Sequence, residues 1–171
     1  DRGSSHGETR VIRLAYFENA DYVPLLLRAF DLWKELEDVS GRKLYEETGL
    51  LQVGPSDGDV VKGTRNSSAV YEIPIENLTH DDLKKRFPMF SVPMDMEAVF
   101  EERAGYLLVE ECVKANLDIA VSSGAILRTG IEVTGWRPDD DGIVLDTDQG
   151  KIGADRLVIA AGSWSATLIE D

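Results

Sequence analysis

The chain has a single cysteine, Cys112, among 171 residues. No internal disulfide can form, and so little cysteine fits a reducing compartment, read here as the cytoplasm. Long apolar runs are also missing. "VPLLL" and "LVIAA" fall far short of the roughly 20 residues that a membrane-spanning helix needs. Positive charge is scarce: 18 Lys and Arg stand against 32 Asp and Glu, a formal net charge of −14. Such a chain repels phosphate, which argues against a nucleic-acid partner; solubility alone is a sufficient reason for the acidic excess. None of the 15 glycines lies two residues from another, so the sequence holds no G-x-G-x-x-G turn of the kind that binds a dinucleotide pyrophosphate. The sequence does not open on methionine, no secretory leader is expected, and the opening "DRGSSHG" is expected to be the interior of a longer protein. Without a leader, the N-x-S/T matches at Asn66 and Asn77 are read as chance.

What is present is globular in character: 43% hydrophobic and 29% charged residues, in a length that suits one domain or parts of two. Val23, Leu26, Leu27, Phe30, Trp33 and Leu36 predict a helix over 20–40. Asn19 or Asp21 would cap it, Pro24 fits its first turn, and Gly41 closes it. "LLQVG" (50–54), "AVYEIP" (69–74) and "AVFEE" (98–102) read as strands, and the polar "PSDGDVVKGTRNSS" between the first two reads as turns. Thr79 is expected to cap a short helix, "HDDLKKRF", stopped by Pro88. A helix ending at Gly124 precedes the predicted strands "AILRT", "EVTGWR", "GIVLDT" and "RLVIAAG". The run Asp139–Asp141 before Gly142 lacks the spacing of a calcium loop and is read as a tight turn, as is "DQG"; no metal site is expected. Apolar on both faces, 157–161 suggests a strand buried mid-sheet, fed by a small antiparallel meander.

Near the start, "SSHGETRVIR" (4–13) places His6, Thr9, Arg10 and Arg13 close together. If the segment turns as a helix, Arg10 and Arg13 share a face. The plain reading is a solvated basic face.

These residues resemble the sarcosine oxidase group of flavin-dependent amine oxidases, within the D-amino-acid-oxidase-like superfamily. The resemblance rests on "HGxTRxIR", then "YVPLLLRAFDLWKELE", "TGLLQVG", "KKRFPMFSVP", "AVFEERAGYL", "SSGAILRTGIEV" and "ADRLVIAAGSW", in that order. It implies an α/β fold, an α+β fragment: parts of a dinucleotide-binding FAD domain (1–42 and 105–171) with part of an inserted antiparallel-sheet substrate domain (43–104). It implies oxidation of an amino-acid-type, sarcosine-like amine to an imine, with electrons passing to flavin and then to oxygen. In such enzymes the glycine fingerprint precedes this segment and a flavin-bearing cysteine follows it. FAD is therefore expected in the full-length protein and not on this fragment alone, and Cys112 is read as a small buried hydrophobe.

The resemblance places His6 and Arg10 beside the flavin ring as catalytic groups. Ser4, Ser5, Thr9, Val133, Ala161, Gly162 and Trp164 fall at cofactor-binding positions, with Ala160 in the same turn. It gives Arg13 to the substrate carboxylate, whose two oxygens match the guanidinium fork. Glu18 would pair with Arg13 when the site is empty, and Tyr16 would line the pocket. Plain loop and core roles for Glu18 and Tyr16 fit the sequence equally well. Two rival readings remain: an FAD-dependent amine dehydrogenase with another electron acceptor, and a noncatalytic α/β scaffold or binding module.

Overall fold

The computed structural model describes residues 3–169. They fall into two compact units, Gly7–Asp118 and a second made of 3–6 with 119–169.

The larger unit runs β1 (Thr9–Ile12), α1 (Val23–Ser40), β2 (Tyr45–Glu47), β3 (Leu50–Pro55), α2 (Asp59–Tyr71), β4 (Glu76–Leu78), α3 (His80–Arg86), β5 (Met96–Glu101), β6 (Gly105–Leu108) and most of α4 (Val109–Ser122). The first predicted helix is borne out. The Asn19 side chain accepts the Asp21 N–H at the head of a 3-10 turn, Ala20–Tyr22, that leads into α1. Gly41 ends α1 with φ 66° and donates its N–H to the Glu37 carbonyl. The apolar stripe Phe30, Trp33 and Leu36 packs on Ile12, Leu44, Leu107, Cys112 and Ala115. Burying one such aliphatic side chain contributes about 1.5–3 kcal/mol. Cys112 is a core residue, as expected, and burial pushes its thiol pKa up.

Two antiparallel sheets organise this unit, in the orders β1-β6-β2 and β3-β5-β4. In the second, Leu50 pairs with Glu101, Gln52 with Val99 and Gly54 with Glu97, so these side chains share one face. Helix α2 covers that face: Val61 is fully buried beside Gly54, and Arg65 Nη2 stands 2.7 Å from Glu97 Oε2. The other face carries Leu51, Ala98 and Phe100, packed with Leu78, Leu83 and Phe87. Helix α3 has the expected cap, as a reciprocal box between Thr79 and Asp82.

Helix α2 corrects two expectations. Residues predicted as turns form a helix, and it continues through Ala69 to Tyr71, where a strand was expected. Its buried stripe is Val61, Thr64 and Ser67. Small polar residues on a buried stripe imitate turn composition, and packing on the sheet overrides their weak local preference. The helix posited for 4–13 is also replaced: Thr9–Ile12 is a strand paired with β6.

In the smaller unit β7 (Val133–Asp139), β8 (Gly142–Thr147) and β9 (Gly150–Ala154) form an antiparallel meander with the two expected turns, at Asp140-Asp141 and Asp148-Gln149; β7 and β8 were expected as strands, and β9 was not. "AILRT" is not a strand, and Ile126 is 82% exposed. Nor is 156–162 a buried strand: it has no ladder partner among the described residues, and Val158 is 87% exposed. Such a run becomes a central strand only with a neighbour on each edge and a layer on each face. A 3-10 turn, Gly162–Trp164, and α5 (Ser165–Leu168) follow. Among the described residues no helix is long and apolar enough to cross a membrane.

Candidate functional site

Strand β1 delivers the chain into a loop in which buried and half-buried residues have distinct tasks. Leu14 and Ala15 are sealed in the core with Val23 and Ile73. Arg13 and Tyr16 flank them. Arg13 Nη2 lies 3.0 Å from Glu18 Oε2 and 3.3 Å from Oε1. Its Cζ is 4.3 Å from the Tyr16 ring centroid and 4.9 Å from that of Phe17. The two rings stack at 6.4 Å, and Tyr22 packs at 5.3 Å on Tyr16. The Arg13 side chain is 16% exposed, and its Nε is buried without a hydrogen-bond partner among the described residues. A guanidinium held on aromatic faces, with one carboxylate already on its outer nitrogen, has the chemistry to pair with a carboxylate. The pairing with Glu18 is itself weak, since half-exposed ion pairs are worth about 0–1 kcal/mol.

Three elements hold this loop. Glu101, fully buried at the end of β5, accepts the Leu14 N–H on Oε1 at 2.7 Å and the Ala15 N–H on Oε2 at 2.9 Å. Ser67 of α2 donates its hydroxyl to the Tyr16 carbonyl. Gly63 of α2 lies against the Phe17 carbonyl so closely that a Cβ would stand 2.1 Å from the oxygen. Sequence reasoning named none of the three. Glu101 did leave a signal: it lies two residues from Val99 in a strand, hence on the same face, and a carboxylate on a core face requires donors.

Of the other sequence-predicted residues, Thr9 and Arg10 are exposed on β1, and Arg10 Nη1 donates to the Thr9 carbonyl at 2.8 Å. A Cβ on Gly7 would lie 3.1 Å from the same Nη1, so the guanidinium folds back over that glycine. Because this stretch is a strand, Arg10 and Arg13 do not share a helical face. Ser4, Ser5 and His6 form an exposed turn closed by the His6 N–H on the Gly3 carbonyl. In the smaller unit Val133 opens β7, while Ala161 caps the 3-10 turn that holds Gly162 and Trp164, with Gly162 at φ 56° and open space beyond its Cα. Taken singly, hydroxyl and guanidinium donors such as those of Ser4, Ser5, Thr9 and Arg10 can hold carbonyl or phosphate oxygens. Among the described residues no cluster of His, Cys, Asp and Glu is suited to a metal ion.

The family model for FAD dependent oxidoreductases (DAO) matches residues 1–171. The chain is 37% identical over 171 residues to monomeric sarcosine oxidase of Streptomyces avermitilis, covering 100% of this chain and 44% of that protein. It is 35% identical over 167 residues to N-methyl-L-tryptophan oxidase of Yersinia pestis, covering 98% of this chain and 45% of that protein. Among solved structures, NikD, an amino acid oxidase of nikkomycin biosynthesis, aligns with TM-score 0.87 and 31% identity over 97% of this chain and 43% of its own. Glycine oxidase of Geobacillus kaustophilus shares the fold at TM-score 0.77 and 24% identity, over 98% of this chain and 47% of its own. The chain spans less than half the length of the curated relatives it matches.

Proposed function

The chain belongs to the FAD dependent oxidoreductase (DAO) family, and on that premise we propose that its full-length protein oxidises a sarcosine-like amino-acid amine, with Arg13 clamping the substrate carboxylate. The observation that carries this reading is the state of Arg13. Its guanidinium rests on Tyr16 and Phe17, one edge faces a carboxylate, and its Nε has no partner among the described residues. FAD, when bound, supplies a two-electron acceptor. Each turnover breaks one substrate C–H bond and one N–H bond, leaving a C=N bond that water then hydrolyses. The two electrons finally reduce oxygen to hydrogen peroxide. This chain's part is to fix the amine by its carboxylate at Arg13, to wall the site with Tyr16 and Phe17, and to place the Arg10 cation and the hydroxyls of Ser4, Ser5 and Thr9 where the cofactor's oxygens need donors. His6 is assigned to the flavin ring. Val133, Ala161, Gly162 and Trp164 are assigned to the cofactor's nucleotide end. In this reading 1–42 and 105–171 belong to the cofactor domain and 43–104 to the substrate domain.

Anaerobic mixing of the full-length, FAD-loaded protein with an N-methyl amino acid, and separately with the same amine lacking its carboxylate, tests the reading. The carboxylate-bearing amine should bleach the flavin at a concentration at least tenfold lower. Equal efficiency for the two amines would remove Arg13 from the substrate, and no bleaching by either would remove the activity.

A further inference from the structure

We infer that Glu101, with Ser67, is the positioning element that fixes Arg13 and Tyr16 in their substrate-binding geometry; the inference rests on Arg13 being the carboxylate clamp. Between the Cα atoms of Arg13 and Phe17 there are four peptide planes, and every one of them is held. The Leu14 N–H, in the first plane, goes to Glu101 Oε1. The Ala15 N–H, in the second, goes to Glu101 Oε2. The Tyr16 N–H, in the third, donates to the Leu14 carbonyl at 2.8 Å. The Tyr16 carbonyl, in the fourth, accepts from Ser67. A rigid peptide plane has no freedom of its own, so fixing successive planes fixes φ and ψ between them and hence where the Arg13 and Tyr16 side chains set out.

The choice of residue supports the same conclusion. A fully buried carboxylate is a costly way to fill a core, because ionised oxygens lose their water. What it offers over an apolar side chain is two acceptors at fixed separation, matched to two consecutive N–H groups that would otherwise be buried without partners. Glu101 reaches them from 86 and 87 residues away in sequence, through the register of β5 with β3. Ser67 grips the loop from α2, on the same covered face of that sheet. Misplacing a binding group by about 1 Å is enough to cost a large factor in function.

The test uses the full-length FAD-loaded protein and the variants Glu101→Gln, Ser67→Ala and Arg13→Lys. Amide exchange is read at Leu14 and Ala15, and Kd for an N-methyl amino acid and for the same amine without its carboxylate. The amide of Glu101→Gln keeps one acceptor oxygen and turns a donor toward the other N–H. Exchange at Leu14 or Ala15 should then quicken at least tenfold, Kd for the carboxylate-bearing ligand should rise about tenfold, and the other ligand should change by less than about twofold. Ser67→Ala should give the same selectivity with a rise of about threefold, and it decides the matter if Glu101→Gln does not fold. Unchanged binding, or equal loss for both ligands alongside a lower Tm, overturns the inference. Selective loss in Arg13→Lys alone overturns it while leaving the clamp in place. No selective loss in Arg13→Lys overturns the clamp and this inference together.

Discussion

Gly63 and the Phe17 carbonyl are in direct backbone contact: a Cβ on residue 63 would come within 2.1 Å of the oxygen. In an exposed helix interior, replacing glycine with alanine stabilises by roughly 1 kcal/mol. Here the added methyl meets backbone that cannot step aside without moving either α2 or the loop that carries Arg13. Gly63→Ala is therefore expected to destabilise by about 1–3 kcal/mol, the usual range for overpacking. Urea unfolding of wild type and variant checks it. A midpoint that stays level or rises would show that α2 and the loop are not in this close contact.

That contact also explains where the sequence was hard to read. Helices α1 and α4 were legible because large apolar residues recur along them, α3 because Thr79 and Asp82 form a cap. The β8 hairpins were legible because Asp-rich and Asp-Gln-Gly turns break the pattern on either side. Helix α2 was not, since Gly63, Thr64 and Ser67 serve the sheet and the loop instead of filling a greasy stripe. The strand expected over 156–162 failed for the opposite reason: its apolar residues ask for neighbours that no described strand provides. In the candidate site, Arg13, Tyr16 and Glu18 lie within six residues and could be picked out together. Glu101 and Ser67 reach the loop only through tertiary structure, and short-range patterns carry no trace of the hydrogen bonds they make.

A pH dependence follows from Tyr45. Its hydroxyl donates to the Arg103 carbonyl, and its pKa is pushed up to about 12, first by burial and then by the Glu47 carboxylate. The unfolded phenol titrates near 10. A raised folded pKa means that the stabilisation is complete below about pH 10 and fades as pH climbs toward 12, because the unfolded chain sheds its proton first. Tyr45→Phe should be less stable than wild type at pH 8, by about 1 kcal/mol for the lost hydrogen bond. The gap should narrow steadily between pH 10 and 12. Urea unfolding at several pH values measures it, and a constant gap would mean that the phenol ionises freely in the folded protein.

Arg10 is predicted to act on the cofactor's charge and not on substrate affinity. In the full-length protein Arg10→Met should slow flavin reduction at least tenfold, while substrate Kd changes less than about threefold. A cation that matters as negative charge develops affects the rate step and not ground-state binding. The flavin's midpoint potential should fall in the same variant. Rapid-mixing reduction and equilibrium titration separate the two effects. An unchanged rate with a raised Kd would move Arg10 to the substrate.

The ion pair between Arg13 and Glu18 makes the last prediction. With Arg13 Nη2 3.0 Å from Glu18 Oε2, a substrate carboxylate clamped by Arg13, as proposed, competes with the resident one for that nitrogen. The pair is 16% and 44% exposed, so the cost of displacement is at most about 1 kcal/mol. Glu18→Gln removes the competing charge, and Kd for a carboxylate-bearing amine should fall about two- to fivefold. The same amine without its carboxylate never displaces Glu18 and should bind wild type and variant alike. Salt supplies an internal check. Raising ionic strength screens the half-exposed pair, so the advantage of the variant should shrink between low and high salt. Weaker binding of the carboxylate-bearing amine in Glu18→Gln would give Glu18 the opposite role, as the residue that holds Arg13 in its binding rotamer.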